Sequence, residues 1–230
     1  MKNNALMTDL FKFGLRSKVK RLGSYAGSFL ALGAPLILDW GSPNDGINGF
    51  VSGDYSEATG LAGGTSKYIE TGLNPVLAGA SATSWHMGCY IRTGSDAATH
   101  AMGGQDPGQD TALLVSFSGT SYWDSNNFTT GRCSVADSAG TGLYIGSRTS
   151  ASASNLYKNG TSIASTAGAA GVLPGVSMAV HAFHDSATGF ISWNARTYAL
   201  YTFGSGLTAG DVTNYYLAVQ RYQTSFARQV

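Results

Sequence analysis

Between about residues 49 and 203, apolar side chains recur at every second position in a series of short runs. The clearest runs contain Trp85, Met87, Cys89 and Ile91; then Leu113, Val115 and Phe117; then Val176, Met178, Val180 and Ala182. This alternation is typical of a β-strand that turns one face toward a core. Turn clusters separate the runs and no helical stretch intervenes. We therefore predict an all-β fold, an antiparallel β-sandwich.

The composition supports this fold class. The chain has 31 Gly among 230 residues and only 12% charged residues, while 12 Tyr, 10 Phe and 4 Trp supply apolar surface for a core. A disordered chain would carry more charge and fewer aromatic residues. The strongest local signal is Asn159-Gly160 between two short alternating runs, because both residues tolerate the positive φ of a type I′ hairpin turn.

The spacing of the apolar residues changes from every second position to a helical period near the C-terminus. Thr208 followed by Asp211 resembles a capping box in which an aspartate replaces the usual glutamate. Apolar and aromatic side chains then follow at helical spacing, namely Val212, Tyr215, Tyr216, Val219, Tyr222 and Phe226. We predict one C-terminal α-helix over residues 208 to 228, with its aromatic stripe buried against a sheet or against the N-terminal segment.

The N-terminal segment differs in charge from the rest of the chain. Residues 1 to 34 carry a net charge of +5 and the remaining 196 residues carry −4. Residues 6 to 22 place apolar side chains at roughly helical spacing, and Gly23 is a natural stop. We predict a basic arm over residues 1 to 40 and a β-sandwich with the C-terminal helix over residues 41 to 230. The basic side chains predicted to anchor the arm to an acidic surface are Lys12, Arg16, Lys18, Lys20 and Arg21.

Other interpretations stay open for this segment. A solvated helix with ordinary lysines explains the same charges, and a secreted precursor is a minor alternative. The run from Tyr25 to Leu38 is about 14 residues long and is interrupted by glycine and proline, too short for a membrane span. The body has no basic stripe, which disfavours specific nucleic-acid binding. Cys89 and Cys133 are expected to be buried thiols, with a single bridge left open.

Several stretches resemble a known superfamily. Residues 147–152 (SRTSAS) and 156–160 (LYKNG) resemble the paired strands of concanavalin A-like, laminin-G-like sandwich domains. Residues 192–201 (SWNARTYALY) and 204–208 (GSGLT) resemble the ending of lectin-like domains in structural proteins of tailed phages and prophages. Residues 54–61 and 66–72 are similar to the early strands of that group. The resemblance covers about residues 49 to 230 and implies a jelly-roll, concanavalin A-like fold.

The superfamily also contains glucanases, but the residues argue against that activity. Retaining glycoside hydrolysis needs two carboxylates roughly 5 Å apart. The only glutamates are Glu57 and Glu70, and no Glu-x-Asp-x-Glu strand occurs. Asp106 and Asp110 lie in a Gly/Pro-rich stretch that would fix their geometry poorly. We predict that the protein is not an enzyme. The same two aspartates are weak calcium candidates, with a plain surface turn as the alternative, and no other metal or cofactor is expected.

A sugar site requires an aromatic platform beside hydrogen-bonding side chains. One short segment supplies both, and its candidate residues are Tyr122, Trp123, Asp124, Asn126 and Asn127. The alternative is that Trp123 is a core residue.

These patterns favour a non-enzymatic structural protein of a phage virion. It would sit on the capsid or tail through its basic arm and display a lectin-like domain to host-surface glycans. Its expected partners are other virion proteins and host-surface polysaccharide, with the copies forming a homo-oligomer on the particle. One alternative is a capsid cementing protein that binds no sugar, and a second, less favoured, is a secreted carbohydrate hydrolase.

Overall fold

The computed structural model describes residues 2–94 and 97–230. In chain order its helices and strands are α1 (Lys2–Lys12), β1 (Val19–Ser24), β2 (Ile37–Leu38), β3 (Gly46–Asn48), β4 (Tyr55–Ser56), β5 (Gly60–Ala62), β6 (Tyr68–Glu70), β7 (Trp85–Thr93), β8 (Met102–Asp106), β9 (Gln109–Phe117), β10 (Thr120–Asp124), β11 (Arg132–Ala136), β12 (Gly142–Ser150), β13 (Ala153–Lys158), β14 (Thr161–Thr166), β15 (Ala179–Val180), β16 (Phe183–Asp185), β17 (Gly189–Ile191), β18 (Thr197–Gly204) and α2 (Ala209–Thr224). Two short 3-10 turns cover Phe29–Ala31 and Ser52–Asp54.

The strands form two sheets. The first has the order β14-β13-β12-β7-β18-β1-β2, with β5 beside β18 and β4 beside β5. The second has the order β11-β10-β9-β8-β15-β6-β3, with β16 beside β8 and β17 beside β16. The long neighbouring strands run antiparallel, while the short strand β16 runs parallel to β8. The predicted antiparallel sandwich is confirmed.

The core lies between the sheets and follows the alternation in the sequence. Inward side chains from the first and second sheets include Met87, Cys89, Ile91, Leu113 and Val115. The Trp123 ring of β10 lies in the same core, and its Nε1–H donates a hydrogen bond of 3.0 Å to Ser154 Oγ on β13. This bond satisfies the indole donor and links the two sheets. Cys89 and Cys133 are both buried and unbridged.

The predicted Asn-Gly hairpin is also confirmed. Asn159 and Gly160 join β13 to β14 with φ values of 49° and 82°. Both residues occupy the left-handed region, as a type I′ turn requires. This turn sets the pairing that places Leu156 in the core opposite Ala164.

Both helices pack on the outer face of the first sheet. The capping box of α2 forms as predicted, since the Thr208 hydroxyl accepts from the Asp211 amide and the Asp211 carboxylate accepts from the Thr208 amide. The helix ends at Thr224, four residues before the predicted end. Its buried stripe joins side chains of α1 and of the sheet in one apolar cluster, which includes Leu6, Leu10, Tyr90, Leu143, Ile145, Tyr215 and Val219. The outer face of the first sheet is therefore closed.

The N-terminal segment differs from the prediction. The helix expected over residues 6 to 22 ends at Lys12, and Gly14 follows in the left-handed region at φ 70°. Residues Val19–Ser24 form strand β1, which pairs with β18 on one side and β2 on the other. Leu15 and Val19 are buried, but in a loop and a strand. The predicted division at residue 40 is therefore wrong, because this segment is built into the sandwich. No helix in the described residues is long and apolar enough to cross a membrane.

Candidate functional site

The outer face of the second sheet is not covered by either α-helix. Because both helices pack on the first sheet, no helix within the described residues lies on this face. Side chains that alternate with the core positions of β9 and β10 point outward here, among them Asp110, Leu114, Tyr122 and Asp124. The face is polar at one end and aromatic at the other.

Asp124 and Arg132 form an ion pair across β10 and β11, where the strand register sets them opposite each other. The Arg132 Nε and Nη2 groups donate to the two Asp124 carboxylate oxygens at 2.6 and 2.7 Å. Asp124 is almost fully buried, whereas the Arg132 side chain is 34% exposed. The guanidinium also lies over the Tyr122 ring, 4.6 Å from its centroid. The ion pair and the cation–π contact together hold the Tyr122 ring in place.

Asp110 lies near this pair. The register places Asp124 opposite Ala112, two residues along β9 from Asp110, and such diagonal neighbours lie roughly 7 Å apart. Burial, together with the negative charge of Asp124, raises the pKa of Asp110 to about 7. Its Oδ1 atom is buried and has no hydrogen-bond partner among the described residues. Burial thus favours the protonated form of Asp110 over a pH range in which an ordinary aspartate is ionised.

Aromatic rings continue along the face from Tyr122. The Phe117 ring meets Tyr122 edge-on at 6.4 Å and His100 at 6.1 Å, and His100 stacks on Phe183 at 4.2 Å. Burial lowers the pKa of His100 to about 4, so the ring is neutral at pH 7 and packs as an aromatic group. Tyr122 and Phe117 are partly exposed. We call Asp110, Phe117, Tyr122, Asp124 and Arg132 the outer-face site.

Only part of the predicted sugar segment reaches this site. Tyr122 and Asp124 point outward and belong to it. Trp123 was predicted as a platform, and that prediction is wrong because the ring is fully buried between the sheets. The structure instead supports the alternative, a core tryptophan. The alternation of one strand thus separates neighbouring residues onto opposite faces.

The two asparagines of that segment serve the fold. Asn126 is fully buried: its Oδ1 accepts from Thr111 Oγ1 at 2.7 Å, and its Nδ2 donates to the Ala82 carbonyl at 3.0 Å. The Asn127 Oδ1 accepts from the backbone amide of Thr129 and that of the following residue. Their prediction as sugar contacts is wrong for Asn126, whose polar atoms are buried and already bonded. Asn127 lies in the turn that joins β10 to β11, and its role as a sugar contact stays a prediction.

The calcium candidates are separated by the strand pleat. Asp106 and Asp110 belong to the β8–β9 hairpin, where Gln105 pairs with Asp110 and Asp106 pairs with Gln109. Consecutive residues of a strand point to opposite faces, so the two carboxylates leave opposite sides of the hairpin. Asp106 accepts from the Gly175 amide at 2.5 Å. The two side chains therefore cannot share one calcium ion.

Most of the predicted anchoring residues are neutralised within the fold. Arg16 pairs with Asp39 through two hydrogen bonds of 2.8 and 2.9 Å, and the Lys20 Nζ lies 3.7 Å from the same carboxylate. Lys18 pairs with Asp211 at 2.5 Å. Lys12 is exposed at the end of α1.

Arg21 lies furthest from an anchoring role. Its side chain is fully buried and pairs with Asp45 at 2.6 Å. Its Nε donates to Tyr201 Oη at 3.3 Å, and its Nη1 donates to the carbonyls of Trp40 and Ser42. The prediction that Arg21 docks on an outside surface is therefore wrong, because the guanidinium has no access to solvent.

Sequence patterns did not identify Arg132, Phe117 or His100 as neighbours of Tyr122. These residues come from different strands and loops, and only the register of β9, β10 and β11 brings them together. The sequence did contain one signal for this pair. Asp124 ends one strand and Arg132 begins the next, so a short hairpin would place them opposite each other.

No family model and no curated protein matches this sequence. Solved structures do match in fold. Domain 4 of AbnA, a GH43 extracellular arabinanase from Geobacillus stearothermophilus solved in complex with arabinotriose, superposes with a TM-score of 0.52 at 12% identity, covering 86% of this chain and 98% of that one.

Two other similar structures come from larger proteins. The receptor binding domain of botulinum neurotoxin C/D mosaic serotype has a TM-score of 0.59 at 11% identity, covering 88% of this chain and 51% of that one. Trypanosoma rangeli sialidase, in complex with 2,3-difluorosialic acid, has a TM-score of 0.57 at 10% identity, covering 89% and 33% respectively. The chain thus shares the β-sandwich fold of these structures.

Proposed function

We propose that this protein is a non-enzymatic carbohydrate-binding module that holds its glycan on the outer-face site. One observation carries the proposal: the sheet face left open by the helices presents the Tyr122 ring beside the Asp124–Arg132 pair. An aromatic ring offers an apolar platform to the C–H face of a sugar, and flanking carboxylates and guanidinium groups exchange hydrogen bonds with its hydroxyls.

The hydrogen-bonding capacity of the site is divided between two acids. Both Asp124 oxygens accept from Arg132, so Asp124 holds the arginine in place. The guanidinium has further N–H groups to donate, and the Arg132 side chain is 34% exposed. Asp110 is partly exposed, and burial raises its pKa to about 7, which favours a protonated carboxyl that can donate. A sugar hydroxyl, which is both donor and acceptor, suits this pair.

The same geometry disfavours hydrolysis. A glycosidase needs two carboxylates free to act as acid and as nucleophile or base. Here the bidentate pair with Arg132 occupies both oxygens of Asp124, which leaves Asp110 without a free acidic partner. We therefore propose binding without cleavage. Release of reducing sugar by the purified protein from a glycan that it binds would contradict this part of the proposal.

The binding test compares matched tyrosine variants on an array of bacterial surface polysaccharides. We expect Tyr122→Ala to weaken binding at least tenfold, about 1.4 kcal/mol, because the platform is lost. Tyr122→Phe keeps the ring and should retain most of the affinity. Tyr216→Ala, which truncates a partly buried tyrosine on α2 at the other side of the molecule, is the control. Equal binding by Tyr122→Ala and Tyr216→Ala would exclude the outer-face site.

We further propose that the module belongs to a tailed-phage virion, mounted on capsid or tail, where it contacts host-surface polysaccharide. The support is the resemblance of residues 192–201 and 204–208 to lectin-like domains of phage structural proteins, together with the open sheet face. Other virion proteins would be its partners. Mass spectrometry of gradient-purified particles tests the location, and absence of the chain from intact particles would contradict it. A cementing protein without sugar binding is the second candidate, and the array separates the two.

A further inference from the structure

The charged side chains of the two sheets are sorted by sign. The strands of the first sheet carry no aspartate or glutamate but five basic residues, namely Lys20, Arg21, Arg92, Arg148 and Lys158. The described strands of the second sheet carry no lysine, a single arginine and five acidic residues, namely Glu70, Asp106, Asp110, Asp124 and Asp185. The whole chain has 14 basic and 13 acidic residues, so the second sheet has far fewer basic residues than the chain as a whole.

Strand register brings these acidic groups to the outer-face site. Gln105 of β8 lies opposite Asp110 of β9 and, on its other side, opposite Asp185 of β16. Residues directly opposite each other in a ladder turn their side chains to the same face of the sheet. All three side chains are partly exposed, and the Gln105 side-chain amide donates to the Asp185 carboxylate. The polar end of the face therefore extends from Arg132 on β11 to Asp185 on β16.

The one arginine on this face is already paired. Arg132 donates to both oxygens of Asp124, so the pair carries no net charge. Asp185 accepts from Gln105 and from two backbone amides of the turn that follows it, and these bonds lower the pKa of Asp185 and keep it ionised. No second arginine and no lysine in the described strands of this sheet offsets that charge. The polar end of the face is therefore negative.

We propose that the outer-face site takes glycans without acidic groups and rejects glycans that carry carboxylate, sulfate or phosphate. The inference rests on the carbohydrate binding proposed above and narrows its ligand class. An acidic sugar on the Tyr122 ring would lie beside Asp110 and Asp124. Its anionic group would lose water without gaining an unpaired cation, whereas the hydroxyls of a neutral sugar carry no charge that must be compensated.

A glycan array that pairs each neutral oligosaccharide with its sialylated or sulfated derivative tests the ligand class. We expect every neutral glycan whose binding is lost in Tyr122→Ala to bind about tenfold or more tightly than its acidic derivative. Raising sodium chloride from about 50 to about 500 mM should change the affinity for the neutral glycan by less than about twofold, because no ion pair with the ligand is screened.

Ser134→Lys separates the charge of the ligand from its size. Ser134 is exposed and lies opposite Tyr122 on β11, so a lysine there places an unpaired cation beside the aromatic platform. Binding of the acidic derivatives should then improve roughly three- to tenfold, while the neutral glycans keep their affinity. The matched control is Thr8→Lys, which adds the same charge at an exposed position of α1. This control should leave both classes of glycan unchanged.

Far-UV circular dichroism verifies that each variant is folded. Lysine is common on edge strands, and β11 is the edge of its sheet. Should Ser134→Lys be unfolded, Ala136→Lys takes its place, since Ala136 is exposed two residues further along the same strand. The same gain in binding of acidic derivatives is expected.

Two results would overturn this inference and leave the proposed carbohydrate binding intact. The first is Tyr122-dependent binding of acidic derivatives that is as tight as that of their neutral parents. The second is an equal effect of Ser134→Lys and Thr8→Lys on the acidic derivatives, which would show that charge at the site does not set the preference. Absence of Tyr122-dependent binding to any glycan would instead overturn the proposed function, and this inference with it.

Discussion

Lowering the pH from 8 to 5 should destabilise this protein through its buried histidines. Burial lowers the pKa of His86 to about 4 and that of His181 to about 3, and it lowers the pKa of His100 to about 4. His86 and His181 are fully buried. An unfolded chain titrates near the ordinary histidine value of 6.5. Stability is therefore complete above that value and is lost as the pH falls toward the folded pKa values.

The magnitude follows from proton linkage. At pH 5, an unfolded histidine with a pKa near 6.5 gains roughly 2 kcal/mol from protonation that the folded, neutral ring cannot gain. His86 and His181 together should cost about 4 kcal/mol, and His100, which is less buried, up to about 2 more. A loss of about 6 kcal/mol is comparable to the whole stability of a typical domain.

Asp110 has the opposite effect on the stability of the fold as the pH falls. Its folded pKa of about 7 lies above the unfolded value of 3.8, so the folded state binds a proton more readily and gains stability as the pH falls below 7. At pH 5 this gain is about 3 kcal/mol. The raised pKa values of Asp45 and Asp124 add in the same direction. The wild-type protein should therefore lose only about half of what the histidines alone would cost.

Urea unfolding of the wild type and of Asp110→Asn at pH 8, 7, 6 and 5 separates the two contributions. The variant should lose about 3 kcal/mol more than the wild type between pH 8 and pH 5. Histidine ring proton signals provide the second measurement, since His86, His100 and His181 should not titrate above pH 5. Parallel stability curves for the two proteins would refute the assignment of Asp110, and titration of His86 or His181 near pH 6.5 would refute the histidine argument.

Two further variants test the fold. Arg21→Ala should cost about 3 to 5 kcal/mol, because it leaves the Asp45 carboxylate buried without its charged partner; urea unfolding checks this, and a change below about 1 kcal/mol would show that solvent reaches the site. Thr208→Ala should cost about 1 kcal/mol, because α2 loses the hydroxyl that accepts from the Asp211 amide. Asn at position 208 should restore most of this loss, and thermal unfolding of Thr208→Ala and Thr208→Asn distinguishes a lost cap from general disruption.

The sequence predicted the sandwich because the period-two alternation records which side of each strand meets the core. Trp85 and Leu113 lie in the core as the alternation requires. The same reasoning could place the final helix, since the Thr208–Asp211 cap and the stripe led by Val212 depend only on nearby residues.

The helix predicted over residues 6 to 22 was too long for a physical reason. Leu6, Leu10, Leu15, Val19 and Leu22 fit a helical period, and all five are buried, but the period does not show that the backbone changes from helix to strand between them. Pairing of β1 with β18 joins residues about 180 positions apart. Local spacing carries no record of such a partner, so tertiary pairing overrides the local preference.

The outer-face site was hidden for a related reason. Asp110, Tyr122 and Arg132 belong to three strands, and their approach depends on register. The segment around Tyr122 was found from residue types alone. Residue types alone do not show which side of a strand each side chain faces. The strand pleat turns Trp123 into the core, whereas Tyr122 and Asp124 face outward.

The placement of β18 has a consequence for synthesis on the ribosome. This late strand lies between β7 and β1 and also pairs with β5, so it joins the early part of the chain to the middle. Until residue 204 has left the exit tunnel, β1 and β7 each keep an unpaired edge, and such edges invite pairing with other chains. The nascent polypeptide therefore cannot complete its first sheet until β18 has been translated, and closure of that sheet should follow the pairing of the earlier strands.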